Sequence, residues 1–237
     1  MVDMVDPNRN QETGRRLKQG ETTMLIDDLA VRISTGKRYC SGMLVAPDLK
    51  ASAEPHATPL ILTCAHFFRE APIHSFNIRG TDFRRRLDAV RVIDGTDIAI
   101  ARMHRPAPPR RLLGVGTRYF YPGMKTVTFG FGGNSTEVVR KPATVVLPTP
   151  LSISRGGLTR VRPAAIQLNT PKAIKGDSGG AVILTGHQAK EPSINAIQSL
   201  ILDPFGINVG LATVALLRPH FKALRSAAQS LMAMPQS

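Results

Sequence analysis

The chain of 237 residues is long enough to bury a sizeable core, as one large domain or two smaller ones. Its formal net charge of +14, from 31 Lys and Arg against 17 Asp and Glu, suits contact with an anionic polymer, membrane headgroups or an acidic substrate. Plentiful valine, isoleucine, leucine and alanine exclude a disordered composition, no window reaches the roughly 18 consecutive apolar residues of a transmembrane segment, and two cysteines exclude a zinc site built on thiolates alone.

Residues 1–20 read as a polar tail dominated by Asp, Asn, Gln, Arg and Gly. The first apolar run after it is broken by Asp27-Asp28, so a secretory signal is not expected there. Short strand-like runs follow, each bounded by Gly, Pro or Asp: Val31–Ile33, Met43–Val45, Leu60–Leu62, Ser75–Arg79, Val90–Ile93 and Ile98–Ala101. Arg105-Pro106-Ala107-Pro108-Pro109-Arg110 is too rich in proline for a sheet interior and predicts an extended linker.

A second set of strands follows: Val127–Phe131, Thr144–Leu147, Ala165–Leu168, Ala181–Leu184, Ala196–Ile201 and Val209–Val214. Because long helical patterns are missing between the runs, two antiparallel six-stranded β-barrels are predicted rather than a parallel sheet. Only the end is helical, with Pro219 in a first turn and Phe221, Leu224, Ala228 and Leu231 recurring at helical spacing. The expected division is a tail at 1–20, a first barrel at 21–104, a linker at 105–117, a second barrel at 118–218, and a helix and tail at 219–237. The basic clusters Arg84-Arg85-Arg86, Arg110-Arg111, and Arg9 with Arg15, Arg16 and Lys18 read as solvated faces, since no recognition motif or basic-aromatic alternation accompanies them.

Chemistry is concentrated in Lys175-Gly176-Asp177-Ser178-Gly179-Gly180, a turn of small residues ahead of an apolar run. A serine hydroxyl becomes a nucleophile when a base takes its proton, and attack on a carbonyl creates an anion that needs aimed donors. Glycines let the backbone turn sharply and bring the N–H groups of Gly176 and Ser178 toward a substrate oxygen. A base is offered by Leu62-Thr63-Cys64-Ala65-His66, which places His66 at the end of an apolar strand. A carboxylate is offered by Asp97, which opens Asp97-Ile98-Ala99-Ile100 and, buried among such residues, asks for a partner. Asp94 competes, but Ile93-Asp94-Gly95 is itself a turn signal. Gly176-x-Ser178-x-Gly180 also fits the nucleophile elbow of an α/β-hydrolase, with Asp203 and His220 following it; that fold needs a parallel sheet upstream, where this chain reads as short strands and turns.

Taken together, Gly176–Gly180, Leu62–His66 and Asp97–Ala101 resemble the chymotrypsin/trypsin-like serine proteases, including the chain order His66, Asp97, Ser178. The resemblance implies two barrels, with His66 and Asp97 on the first and Ser178 on the second. It implies a serine endopeptidase with a polypeptide substrate and no metal or organic cofactor, in a secreted or periplasmic setting; the polar start leaves a cytoplasmic one open. Tyr39–Leu44 resembles the family's strand leading to the histidine, Ser199 the segment that pairs with extended substrate, and Gly210 a pocket-wall glycine. Lys172, six residues before Ser178, stands where the family often floors the primary specificity pocket and would favour acidic side chains, unless it lies in a solvated loop after Pro171.

Two departures stand out. The family commonly carries a cysteine immediately after the histidine, bonded to one at the position of Cys40; here Phe67 follows His66 and Cys64 precedes it, so whether Cys40 and Cys64 are bonded or free is left open and turns on their Cα separation. Many members are activated when a new N-terminus salt-bridges the aspartate before the serine, yet no such cleavage sequence is found near the start. Asp177 then has a fixed internal Lys or Arg partner, or the chain is built without proteolytic activation. The alternative function is a catalytically silent protein on the same scaffold, binding an anionic partner through its basic surface.

Overall fold

The structure, a computed structural model, describes residues 26–185, 191–203 and 206–235, so the tail expected at 1–20 lies outside the described residues. Six strands, β1 (Ala30–Thr35), β2 (Arg38–Leu44), β3 (Leu60–Thr63), β4 (Asn77–Arg79), β5 (Arg84–Ile93) and β6 (Ile98–Met103), close into a barrel in the order β1-β2-β3-β6-β5-β4. Every residue of β3 and β6 is buried, in keeping with the apolar runs Leu60–Leu62 and Ile98–Ala101 within them, whereas β5 mixes buried with exposed positions. Phe67 and Phe68, in the turn that follows β3, and Phe76 form a cluster of edge-to-face and tilted ring contacts with centroids 5.0–6.0 Å apart.

The second half contains β7 (Gly114–Val115), β8 (Lys125–Gly130), β9 (Val139–Thr149), β10 (Ser152–Ile153), β11 (Arg160–Val161), β12 (Ala164–Asn169), β13 (Ala181–Leu184), β14 (Ser193–Ile201) and β15 (Leu211–Leu216). Six of them run β13-β8-β9-β12-β15-β14, and a β13–β14 pairing closes them into a second six-stranded antiparallel barrel. Strand β7 adds to the β14 edge in parallel, and β10–β11 form a separate hairpin. A sheet whose pairings are otherwise antiparallel removes the α/β-hydrolase alternative.

The proline-rich segment is not a free spacer. Two of its residues pair with the stretch ahead of β3: Ala107 donates to the Thr58 carbonyl at 2.9 Å, and Arg110 and His56 exchange bonds of 3.2 and 2.8 Å. At the other end, helix α1 (Phe221–Ala233) follows a 3₁₀ turn containing Pro219 and lays Leu224, Ala228 and Leu231 against β5 and β6. The buried Arg102 of β6 donates to the carbonyls of Leu231, Met234 and Pro235 at 2.6–2.9 Å while pairing with Asp88. The guanidinium thus satisfies acceptors that the end of a helix otherwise leaves open.

Candidate active site

Strand β3 ends at Thr63, and His66 opens a 3₁₀ turn (His66–Phe68) on the rim of the first barrel. Asp97 directly precedes β6 and is fully buried. Its Oδ2 lies 2.7 Å from Nδ1 of His66, and its Oδ1 accepts the His66 backbone N–H at 2.8 Å. Two bonds from one carboxylate fix both the ring and the main chain of His66, a geometry that assigns the Nδ1 proton to the Asp97 side. Asp94 stays exposed in its turn and contributes nothing here.

Ser178 lies in the turn before β13, with its hydroxyl donating to the carbonyl of Ser199 at 3.1 Å. Ser199 is the residue at which the pairing of β14 with β15 slips: Gln198 faces Val214 and Leu200 faces Thr213. Such a bulge frees the extra residue from the ladder. Its carbonyl turns to Ser178 and its hydroxyl donates to Asp97 Oδ2, so one residue links the serine of the second barrel to the carboxylate of the first. The resemblance suggested only that this segment pairs with substrate; the bond to Asp97 was not foreseen. Nε2 of His66, the nitrogen not bound to Asp97, lies 3.9 Å from Cys64 Sγ.

The turn itself is shaped by two glycines with left-handed backbones, Gly176 at φ 100° and Gly179 at φ 82°. A Cβ on Gly176 would lie 2.2 Å from the Tyr39 ring, and one on Gly179 would lie 2.0 Å from the Ser41 carbonyl oxygen. Ser41, on β2, clasps the same turn: its N–H donates to the Ser178 carbonyl and its hydroxyl to the Gly176 carbonyl, each at 2.7 Å. The N–H groups of Asp177, Gly179 and Gly180 are engaged by the carbonyls of Ile174, Gln198 and Asp177, while those of Gly176 and Ser178 meet no acceptor among the described residues.

Asp177 has an internal partner. Its Oδ2 pairs with the ammonium of Lys141 on β9, the two side chains being 1% and 3% exposed, and Lys141 also donates to the Lys172 carbonyl at 3.0 Å. The carboxylate further accepts the N–H groups of Gly132 at 2.9 Å and Ile174 at 2.8 Å. Charge and hydrogen bonds together make burial of the pair tolerable. Of the two alternatives raised by the missing cleavage sequence, the internal cation is the one present. Lys141 lies between Arg140 and Pro142, outside the strand expected at Thr144–Leu147, so no local signal marked it among the chain's lysines and arginines.

The Cys40–Cys64 bond that the sequence left open is not made; both are free, buried thiols. Cys40 Sγ lies 3.8 Å from the Thr63 hydroxyl and Cys64 sits beside the imidazole, and the two thiols are themselves neighbours, Cys40 acting on Cys64 through a side-chain hydrogen bond. Burial pushes the Cys64 thiol well above its ordinary range. His66 is raised from its ordinary value near 6.5, first by the neighbouring Cys64 sulfur and then by the hydrogen bond to Asp97, against the opposing effect of burial. The Cys64 contribution requires a thiolate, which burial suppresses through the neutral range; there the Asp97 carboxylate is the charge that holds a proton on His66.

Lys172 and Gly210 are brought to one corner of the second barrel. The exposed Lys172 ammonium donates to the Asn208 carbonyl at 2.8 Å, and its Cγ would lie 3.5 Å from a Cβ on Gly210. Among the described residues no group of three or more His, Cys, Asp or Glu side chains converges on a metal position, and no helix is long and apolar enough to cross a membrane.

No protein-family model and no curated protein matches the sequence. Among solved structures, the inactive form of Rv3671c from M. tuberculosis, a serine-to-alanine mutant, aligns with a TM-score of 0.64 at 15% identity, covering 92% of this chain and 93% of that one. The MamO protease domain from Magnetospirillum magneticum aligns with a TM-score of 0.64 at 14% identity, over 85% and 98% of the two chains. The HtrA-type protease AlgW with a tripeptide aligns with a TM-score of 0.65 at 12% identity, over 88% of this chain and 63% of that one. At such identities the likeness speaks to architecture, and together with the two closed barrels it establishes that this chain has the chymotrypsin-like serine protease fold.

Proposed function

We propose that this chain is a serine endopeptidase, hydrolysing polypeptides through Ser178, His66 and Asp97. The observation that carries the reading is the continuous hydrogen-bonded path from His66 through Asp97 and Ser199 to Ser178, which spans both barrels. Turnover requires the Ser178 hydroxyl to leave the Ser199 carbonyl by rotation about Cα–Cβ and donate to Nε2 of His66; catalytic hydrogen bonds often tighten only with substrate bound. His66 takes that proton as Oγ attacks the scissile carbonyl and returns it to the departing amine, with Asp97 stabilising the imidazolium. The N–H groups of Gly176 and Ser178 hold the oxyanion. Water then attacks the acyl-enzyme with His66 again as base, releasing the acid and restoring Ser178.

The Lys141–Asp177 pair supports activity without a newly cleaved N-terminus, because a cation already sits beside the carboxylate that fastens the nucleophile turn. In this reading Lys172 floors the pocket for the residue preceding the cut, with Gly210 in its wall, and gives a preference for acidic side chains; the closeness of the two residues supports it. Labelling with a fluorophosphonate probe tests the reading: stoichiometric modification at Ser178 of the uncleaved chain, lost in Ser178→Ala, is expected, and a folded chain that stays unlabelled refutes it. Cleavage of a peptide library after Lys or Arg would remove Lys172 from the pocket. One observation favours the silent binding protein instead, namely that the Ser178 hydroxyl is held by Ser199 rather than by His66. Lack of labelling combined with salt-sensitive binding to heparin would select it.

A further inference from the structure

A groove of about 690 Å³ on the first barrel, lined by residues of the turn Ile73–Ser75, β4, β5 and the segment just after β6, collects cations from separate parts of the sequence. Arg84 and Arg86 of β5 meet Arg105, His74 and His104 there. Arg85, between the first two, is engaged elsewhere: its guanidinium donates to the carbonyls of Pro106 and Arg84. The one acidic residue in the lining, Asp88, is neutralised by Arg102. By contrast, Arg84, Arg86 and Arg105 are exposed and pair with no carboxylate among the described residues. Register also sets Arg84 directly opposite Arg79 on β4, a pair of like charges across the two strands, although Arg79 itself lines the neighbouring cavity that holds Asp27 and Asp28.

We infer that this groove docks an acidic segment of a polypeptide, with Arg84, Arg86 and Arg105 pairing with its carboxylates. Planar guanidinium groups suit bidentate contact with carboxylates. Ile73 and Leu87 also line the groove and give it an apolar component that matches the methylene stems of glutamate, whereas a phosphate chain has no apolar part. The lining contains no Phe, Tyr or Trp on which bases of a single-stranded nucleic acid would stack. The docking does not depend on the activity proposed above and is measurable without it.

The test is fluorescence anisotropy of a dye-labelled oligo-glutamate peptide titrated with the full chain carrying Ser178→Ala, at physiological salt. Saturable binding is expected, weakened about tenfold or more by Arg84→Glu, Arg86→Glu and Arg105→Glu together and to a smaller extent by Arg105→Glu alone. An equal change of charge at exposed positions outside the groove lining is supplied by Lys37→Glu, Arg160→Glu and Lys222→Glu together, a combination expected to alter the affinity by less than about twofold. Absence of peptide binding, equal losses in the two triple variants, or tighter binding of inorganic polyphosphate or an oligonucleotide of matched charge would each overturn the assignment.

Discussion

Replacing Lys141 by methionine keeps most of the side-chain volume but leaves the Asp177 carboxylate, 1% exposed, without its counter-charge. Only the N–H groups of Gly132 and Ile174 then remain on it. Removing one member of a buried ion pair costs about 3–5 kcal/mol, a large part of the roughly 5–15 kcal/mol that holds a typical protein folded. At about 2–4 °C per kcal/mol for a chain of this size, the melting temperature should fall by about 6–20 °C. Urea denaturation of the single variants and of Lys141→Met with Asp177→Asn completes a double-mutant cycle. Neutralising both groups should recover more than half of the loss, because the desolvated charge is then gone. A cost below about 1 kcal/mol for Lys141→Met, the range of surface pairs, or a double variant no better than the single one, would refute the reasoning.

The other expectations concern the catalytic path and its pH dependence. Asp97→Asn should lower kcat by about 10⁴-fold in peptide hydrolysis, by leaving His66 in the wrong tautomer; a loss under about tenfold would count against Asp97 as its orienting partner. Ser199→Ala removes a hydrogen bond to a buried carboxylate and should cost about 1.5–3 kcal/mol in urea denaturation, while the main-chain acceptor for Ser178 persists. Since only neutral imidazole accepts the serine proton, kcat/KM should rise along a limb displaced to the alkaline side of His66's ordinary value near 6.5. The raised folded-state value also means that the stability contributed by His66 is complete below that ordinary value and lost as pH climbs through the folded one. NMR titration of the His66 ring should move further toward acid in Asp97→Asn than in Cys64→Ala; the reverse order would show that Cys64 ionises beside it. Gly176→Ala should abolish fluorophosphonate labelling, with Tyr39→Ala restoring space for the methyl group but leaving the strain of φ 100°.

What the amino-acid order by itself determined is what depends on near neighbours. Apolar runs such as Leu60–Leu62 and Ile98–Ala101, cut off by Pro, Gly or Asp, became the buried strands β3 and β6, and the spacing of Leu224, Ala228 and Leu231 became the buried face of α1. The motifs around His66, Asp97 and Ser178 were legible because a strand end or a glycine-rich turn leaves its mark within a few residues. Only the tertiary structure decided the partners. The bond from Ser199 to Asp97 spans 102 residues and depends on a bulge in β14, and the Lys141–Asp177 pair spans 36, so neither has a local signature. Arg84–Arg86 read as a solvated face, and Arg84 and Arg86 are indeed exposed, but only folding brings Arg105 and two histidines to the same groove; likewise the proline-rich run read as an extended linker, and only folding supplies Ala107 and Arg110 with acceptors at Thr58 and His56. Local sequence sets which backbone conformations and which buried faces are accessible, but ion pairs and hydrogen bonds between distant residues exist only once chain closure has set the two groups a few ångströms apart.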